Sequence, residues 1–206
     1  WDNGQKNEKK SMGAAIQFQL KIWHPPLIRL IGEDVGAYGH DQLWTIVELL
    51  HEIFNLKGDF KLLISDFHPQ WLIKYFRELS ALFIKNKDKI GYLGFPAQSG
   101  SDKILTLMKR EYKAADLVKC FIDLQKYLPK NLFRTHIMIG FPGETEKDFE
   151  ETLQFIRTVQ VPFIATYLYS DRPGTEASSL TGKVTEFTKY KRLLRFCKLY
   201  HNIQKK

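Results

Sequence analysis

The sequence lacks any long uninterrupted run of apolar residues. Every strongly apolar stretch is broken by Lys, Arg, Asp or Glu within about ten residues, whereas a membrane-spanning helix needs about 18. The first ten residues are polar and mixed in charge, unlike a signal peptide. We therefore expect no membrane partner and a cytoplasmic location. With 44% hydrophobic and 14% aromatic residues, the 206-residue chain can bury one sizeable core, which excludes general disorder.

Cysteine is scarce, and several motifs with known chemistry are missing. The two cysteines, Cys120 and Cys197, lie in helical patterns among apolar neighbours, which is typical of inert core thiols. Neither belongs to a ligand cluster, so we expect no metal ligands in this chain. The sequence has no Walker lysine motif, no GxGxxG at the first strand, no GxSxG elbow and no zinc spacing. These absences argue against P-loop nucleotide hydrolysis, dinucleotide binding, serine hydrolysis and zinc binding.

Short apolar runs rich in β-formers alternate with longer segments of helical periodicity. The predicted strands are 27–31, 60–64, 90–95, 132–139 and 162–169, and the predicted helices are 41–55, 69–83, 102–109, 114–128, 146–159 and 186–201. This order predicts βα units and a parallel sheet that curls towards a barrel, an α/β fold. We expect residues 1–26 to form an irregular or partly helical lead-in and residues 27–206 to form one barrel-like domain.

The last predicted helix is amphipathic. Its more hydrophobic stripe is expected to face inward and its basic stripe mostly outward. The inward set is Phe187, Tyr190, Leu194 and Cys197, and the outward set is Lys189, Lys191, Arg192, Arg195 and Lys198.

Glycine-bearing polar loops follow four of the five predicted strands, whereas the helix-to-strand connections are ordinary polar turns. In parallel α/β folds the loops after the strands converge on one mouth, so these loops form the candidate working face. These loops are residues 32–39, 96–101, 140–145 and 170–175. Tight turns also need glycine for their own geometry, so each loop by itself is equally consistent with a structural role.

Individual side chains in these loops have both functional and structural interpretations. Glu33 is suited to accept hydrogen bonds from an ammonium group, or is a solvated or capping acid. Gln98 and Ser99 could hold a ribose or carboxylate, or form part of a helix N-terminus. Arg172 could clamp a carboxylate or phosphate, or pair with Asp171.

The loop after the fourth strand combines two glycines with a proline. Gly140 and Gly143 would let the backbone approach a ligand closely, and Pro142 would stiffen that approach. Glu144 is expected to be structural, because it lies beside the N-terminus of the following helix. His136 could point inward from the fourth strand.

Four sequence segments together resemble radical-SAM methylthiotransferases. They are Gly32-Glu33-Asp34 through Gly39, residues 98–102 with the string MKREY at 108–112, the string GFPGET at 140–145, and residues 169–175. Their order and spacing match over about 28–180. The GED and MKREY strings look closer to the branch that methylthiolates N6-threonylcarbamoyladenosine in tRNA than to the branch acting on a ribosomal protein.

This resemblance implies a TIM-like (β/α)6 radical-SAM barrel that binds S-adenosylmethionine and a [4Fe–4S] cluster and converts C–H to C–SCH3 in tRNA. Gly32 and Glu33, with Asp34 beside them, would meet the methionine amino group. Gln98, Ser99, Thr135 and His136 would line the mouth, the turn of Gly140, Pro142 and Gly143 would pack near the adenine, and Arg172 would complete the cofactor-binding set.

The sequence departs from that family at one decisive point. The family's CxxxCxxC loop, whose thiolates hold the cluster, does not occur here. The first strand and its cluster loop are thus expected to be missing, and the chain is expected to be inactive alone as a fragment, a truncated form or a degenerate relative. Two alternatives remain open: a radical-SAM Fe–S oxidoreductase of unknown substrate, and a non-catalytic RNA-binding α/β module, consistent with the net charge of +8.

Overall fold

A computed structural model describes residues 3–40 and 44–205, with side chains from residue 13 onward. The chain divides into two compact units, residues 1–94 and 95–206, and each is described by itself. No helix in the described ranges is both long enough and apolar enough to cross a membrane. The predicted boundary between a lead-in over 1–26 and a domain over 27–206 stays a prediction.

The first unit contains a parallel three-stranded arrangement with helices between the strands. Its elements are α1 (Asn3–Trp23), β1 (Leu27–Leu30), α2 (Ile46–Asn55), β2 (Lys61–Ile64), α3 (Pro69–Lys74), α4 (Phe76–Lys85) and β3 (Ile90–Gly94). Strand β2 pairs in parallel with β1 and with β3. The lead-in is more regular than expected, because α1 covers nearly all of it. The predicted start of α2 at residues 41–43 lies outside the described residues.

Local chemistry explains the helix ends in this unit. Helix α2 begins after Thr45 with a capping box, in which the Thr45 backbone N–H donates to Glu48 Oε2 at 2.8 Å. The single helix predicted over 69–83 is two helices, because the backbone at Tyr75 leaves the helical region with φ −109° and ψ 29°. The Tyr75 ring stacks on Trp71 with centroids 6.4 Å apart.

The second unit contains α5 (Asp102–Leu107), α6 (Ala114–Gln125), β4 (Phe133–Ile139), α7 (Glu146–Val159), β5 (Phe163–Leu168), α8 (Glu176–Ser179) and α9 (Glu186–Gln204). Strands β4 and β5 pair in parallel, with Arg134 to Ile139 opposite Phe163 to Leu168. Phe121 lies at the centre of the core and meets Phe95, Phe133 and Phe155 edge to face at 5.8 to 6.3 Å. Helix α7 begins with a capping box of Thr145 and Asp148.

The orientation predicted for α9 is wrong. Lys189, Arg192 and Phe196 are buried, whereas Phe187, Tyr190 and Leu194 are 73%, 57% and 71% exposed. The two buried cations are tolerated because each has partners from distant parts of the chain: Lys189 Nζ donates to the Tyr169 carbonyl oxygen at 2.7 Å, and Arg192 pairs with Glu144. Cys197 is exposed, contrary to expectation, and Cys120 is buried as predicted.

Candidate functional site

The turn after β1 contains the predicted residues Gly32, Glu33 and Asp34. Gly32 and Glu33 are exposed. The Asp34 carboxylate already accepts three hydrogen bonds, from Trp71 Nε1 at 2.7 Å, Gly36 N at 3.0 Å and His68 N at 3.1 Å. These three hydrogen bonds give Asp34 a structural role in holding the turn against α3. Contact of Gly32, Glu33 and Asp34 with a cofactor stays a prediction.

Gln98 occupies the most unusual backbone position among the predicted site residues. Its φ of +63° lies in the left-handed region that most residues avoid. Two backbone hydrogen bonds hold it there, from Gln98 N to the His136 carbonyl at 2.7 Å and from Met138 N to the Gln98 carbonyl at 2.9 Å. Its side-chain Oε1 is buried and has no hydrogen-bond partner among the described residues. A buried acceptor without a donor is costly, so this atom marks a place where a ligand donor would be stabilised.

Two cavities of the second unit share part of their lining, and Gln98 lines the first of them. The first, of about 260 Å³, is lined by Gln98 together with Leu107, Met108, Lys109, Arg110 and Glu176. The second, of about 380 Å³, is lined by Tyr167, Leu168, Tyr169, Ser170, Arg172 and Thr175. Met138, Phe141 and Ala177 line both. An apolar floor with a few polar groups at its rim is the usual composition of a small-molecule site.

Ser99 and Thr135 do not face these cavities. Each is 1% exposed and has its hydroxyl engaged: Ser99 Oγ lies 3.2 Å from Thr152 Oγ1, and Thr135 Oγ1 donates to the Phe95 carbonyl at 2.8 Å. Thr135 Oγ1 also accepts from Ala97 N at 3.2 Å. The geometry therefore assigns both hydroxyls to fixing the backbone that leads into Gln98, not to lining the mouth.

Strand parity separates Thr135 from its neighbour His136. Successive side chains of a strand point to opposite faces, and β4 alternates between buried and half-buried positions. The half-buried face presents His136 and Met138, and the His136 ring meets Tyr167 of β5 edge to face at 5.7 Å. His136 thus shares a sheet face with the cavity residues Met138 and Tyr167.

The turn from Gly140 to Glu144 positions Phe141. Gly140 has φ +80°, and a Cβ there would lie 2.4 Å from Lys189 Cγ, so a larger residue would be strained and would displace the Lys189 side chain. Gly140 N donates to Glu144 Oε2 at 2.8 Å, and Arg192 Nη1 donates to the same oxygen at 2.7 Å. Burial raises the pKa of Glu144, and the Gly140 N–H and Arg192 lower it in part. Glu144 is structural, as predicted.

Of the remaining predicted residues, Arg172 lines one of the two cavities, whereas Pro142 and Gly143 line neither. Pro142 is buried, and Gly143, with φ +84°, donates its N–H to the Gly182 carbonyl at 2.9 Å. Arg172 lines the second cavity and has no ion pair among the described residues. Its suspected partner Asp171 is engaged elsewhere, because it pairs with Lys183 and accepts from Tyr169 Oη at 3.1 Å. Arg172 therefore remains available to an anion.

The cavities include residues that the sequence interpretation did not select. Phe141, Met138 and Tyr167 form the apolar floor, and Lys109 and Arg110 lie at the rim. Strand parity would have selected Met138 and Tyr167, since β4 and β5 pair in register and Met138 lies opposite Tyr167. Lys109 and Arg110 belong to the string MKREY at 108–112, which carries part of the family resemblance but was not assigned to the cofactor site.

Comparison with known proteins places this chain in a family. The model of the Radical SAM superfamily matches residues 27–156, more than half of the sequence. The chain belongs to the radical SAM superfamily. Within it, the curated relatives support the methylthiotransferase family that the sequence resembles. A "Ribosomal protein uS12 methylthiotransferase RimO" from Thermosipho melanesiensis is 37% identical over 76% of this chain, and a "tRNA-2-methylthio-N(6)-dimethylallyladenosine synthase" from Lawsonia intracellularis is 38% identical over 81%.

The radical SAM chain covers only part of these relatives. It spans 36% of the length of the first and 37% of the second. Among solved structures, coproporphyrinogen III oxidase (HemN) from Escherichia coli, described as a radical SAM enzyme, matches 98% of this chain with a TM-score of 0.66. Its sequence identity of 14% shows the fold alone. The predicted fold class, an α/β partial TIM-like barrel, is confirmed.

The family implies two cofactors, S-adenosylmethionine and a [4Fe–4S] cluster. The cluster does not fit the residues of this radical SAM chain. Cys120 is buried in α6, and burial raises the pKa of its thiol to about 12, which disfavours the thiolate that iron needs. Cys197 lies exposed on α9, and no group of three His, Cys, Asp or Glu side chains in the described ranges could hold a metal.

S-adenosylmethionine, in contrast, fits the chemistry of the cavities beside Gln98. The buried Gln98 Oε1 would accept a hydrogen bond from a ribose hydroxyl or an adenine amino group. Phe141 and Tyr167 offer aromatic faces to a purine, and Arg172 offers a cation to a carboxylate.

Proposed function

We propose that this chain forms the S-adenosylmethionine-binding part of a radical-SAM methylthiotransferase that acts on tRNA. The observation that carries the proposal is the buried Oε1 of Gln98, which has no hydrogen-bond partner among the described residues, in a residue that lines the first cavity. The strained backbone of Gln98 is over-determined by its two hydrogen bonds to β4, as is common where strain serves a site.

The cluster that reductively cleaves S-adenosylmethionine needs ligands that this sequence does not contain. We therefore assign no chemical step to the 206 residues, and propose that they bind and orient the cofactor while the thiolates come from elsewhere in the active enzyme. Alone, the chain should be inactive. This proposal also includes the cytoplasmic location expected from the sequence.

The choice of tRNA as target rests on two supports. One relative carries a tRNA-modifying name and the other a ribosomal-protein-modifying name, so both targets are RNA or RNA-associated. The net charge of +8 suits a polyanionic partner. Modification of N6-threonylcarbamoyladenosine in particular stays a prediction. The relatives' names favour methylthiotransfer over a general Fe–S oxidoreductase.

Calorimetric titration of the purified chain with S-adenosylmethionine tests the proposal. We expect saturable binding, weakened about fivefold or more by Gln98→Asn, because Asn tolerates positive φ yet draws the amide back from the cavity. Gln154→Asn, the same change on the exposed side of α7, is the matched control and should bind like the parent. A folded chain that binds no S-adenosylmethionine, or Gln98→Asn binding at full strength, would refute the proposed site.

A further inference from the structure

The exposed side of α9 carries apolar and basic side chains on one stripe. It consists of Phe187, Tyr190, Lys191, Leu194, Cys197, Lys198, His201 and Lys205, which we call the α9 basic face. From Phe187 to Lys205 the sequence has no Asp or Glu. Phe187 and Leu194 are more than 70% exposed, an unusual display of large apolar side chains that marks an interaction surface.

The basic side chains of α9 divide into two groups with different partners. On the side facing α7, Arg192 pairs with Glu144 and Glu146, and Arg195 pairs with Glu146 and Glu150. Lys191, Lys198 and Lys205 on the α9 basic face form no ion pair with any carboxylate of the described residues. The face therefore presents three uncompensated cations over about 21 Å, from Lys191 to Lys205 at the C-cap of the helix.

The interleaving of lysines with aromatic rings argues for a nucleic acid. At about 100° per residue, Lys191, Lys198 and Lys205 fall within about 60° of Leu194, so the cations share the apolar stripe. Lys191 Nζ lies 5.4 Å from the Phe187 ring centroid. Lysine is depleted from the centres of protein interfaces, and membrane-surface helices segregate lysines from their apolar side. Single-stranded nucleic acid instead needs aromatic platforms and cations side by side.

We propose that the α9 basic face binds single-stranded RNA, with Phe187 and Tyr190 stacking on bases and the three lysines contacting phosphates. This deepens the proposed function, on which its relevance to tRNA rests, by naming the surface that receives the RNA. Association of the face with a second copy of the chain or with an anionic membrane are the rival outcomes.

The test uses the full chain and a fluorescein-labelled oligouridylate, with binding followed by anisotropy across a salt series. Replacing Lys191, Lys198 and Lys205 with Gln should reduce the magnitude of the salt slope by about 2, since each phosphate contact on a single strand contributes about 0.7. The matched control replaces three exposed lysines elsewhere, Lys21, Lys87 and Lys119, with Gln and should change the slope little. An equal change in the control would overturn the proposal.

The aromatic part is tested by Phe187→Ala with Tyr190→Ala. Affinity should fall at least about fivefold with the salt slope unchanged, because stacking does not release counterions. Unchanged RNA affinity in this double variant would overturn the proposal. The proposal would also be overturned if the variant bound RNA normally but no longer formed a dimer in sedimentation, or no longer bound phosphatidylserine vesicles, as the parent chain did. Titration of the parent chain and of these variants with S-adenosylmethionine separates the two proposals. If the parent chain binds no S-adenosylmethionine, the cofactor site is refuted and the RNA result still stands.

Discussion

Replacing Arg192 with Met should destabilise the chain strongly. Arg192 Nη1 lies 2.7 Å from Glu144 Oε2, and the two side chains are 6% and 1% exposed. The change leaves a buried carboxylate whose remaining hydrogen bond comes from Gly140 N. Removing one partner of a buried ion pair costs about 3 to 5 kcal/mol, and we expect a loss in that range at neutral pH.

The pH dependence of that loss identifies its cause. Burial already raises the pKa of Glu144, and Arg192 opposes that rise, so the pKa should rise further in Arg192→Met. An acid with a raised folded pKa favours folding below its unfolded pKa of about 4.3, and this contribution disappears as the pH rises through the folded pKa. The loss in Arg192→Met should therefore shrink between about pH 7.5 and about pH 5.

Urea unfolding at both pH values measures this effect. Arg195→Met is the matched control on the same helix: Arg195 pairs with Glu146 and Glu150, but its side chain is 44% exposed, so its loss should stay below about 1 kcal/mol. Adding Glu144→Gln to Arg192→Met should recover a large part of the stability, since the buried charge is then gone. A loss below about 1 kcal/mol, or one equal at both pH values, would refute the reasoning.

Three further changes test other parts of the second unit. Burial raises the pKa of Tyr112 to about 12, and its hydroxyl donates to the Ala97 carbonyl oxygen at 2.7 Å. Tyr112→Phe should lower the free energy of unfolding in urea by about 1 kcal/mol at neutral pH. The parent chain should lose stability as the pH rises above about 10, and the variant should not show that loss. Burial raises the pKa of Asp148, but hydrogen bonds from Lys103 and neighbouring groups lower it by more, so the ionised carboxylate stabilises the fold. This contribution to the free energy of unfolding should be lost below about pH 4. Asp148→Asn should therefore make the free energy of unfolding less dependent on pH in that acid range. An Ellman titration of the native chain should find one reactive thiol, abolished by Cys197→Ser; a second native thiol would contradict the buried environment of Cys120.

The strands were predictable because their signal is local. Each is a short apolar run between polar turns, and all five predicted strands appear within two residues of their expected ends. Helix α7 was predicted at its observed bounds, since its capping box and apolar period agree with each other. The helix over 69–83 was not, because the departure of the Tyr75 backbone from helical angles leaves no mark in the apolar period.

Helix α9 shows what periodicity alone misses. Its two faces differ little in total hydrophobicity, and the sequence favours burying the one with Phe187 and Leu194. The other is buried because Arg192 meets Glu144, 48 positions away, and Lys189 meets the Tyr169 carbonyl. Such long-range partners compensate the desolvation of a cation and leave no trace in the local pattern. The candidate site was likewise predicted only in part. The sequence identified the loops, but the lack of a hydrogen-bond partner for Gln98 Oε1 among the described residues can be seen only in the folded structure.

Helix α9 and the candidate site are connected through the turn from Gly140 to Glu144. Glu144 Oε2 receives both the Gly140 N–H and the Arg192 guanidinium, so the same carboxylate closes the turn and anchors α9. Phe141, inside that turn, lines both cavities. Loosening the ion pair would therefore loosen the cavity floor. It follows that Arg192→Met should weaken S-adenosylmethionine binding as well as stability, although Arg192 itself does not line either cavity. Arg195→Met should leave S-adenosylmethionine binding unchanged.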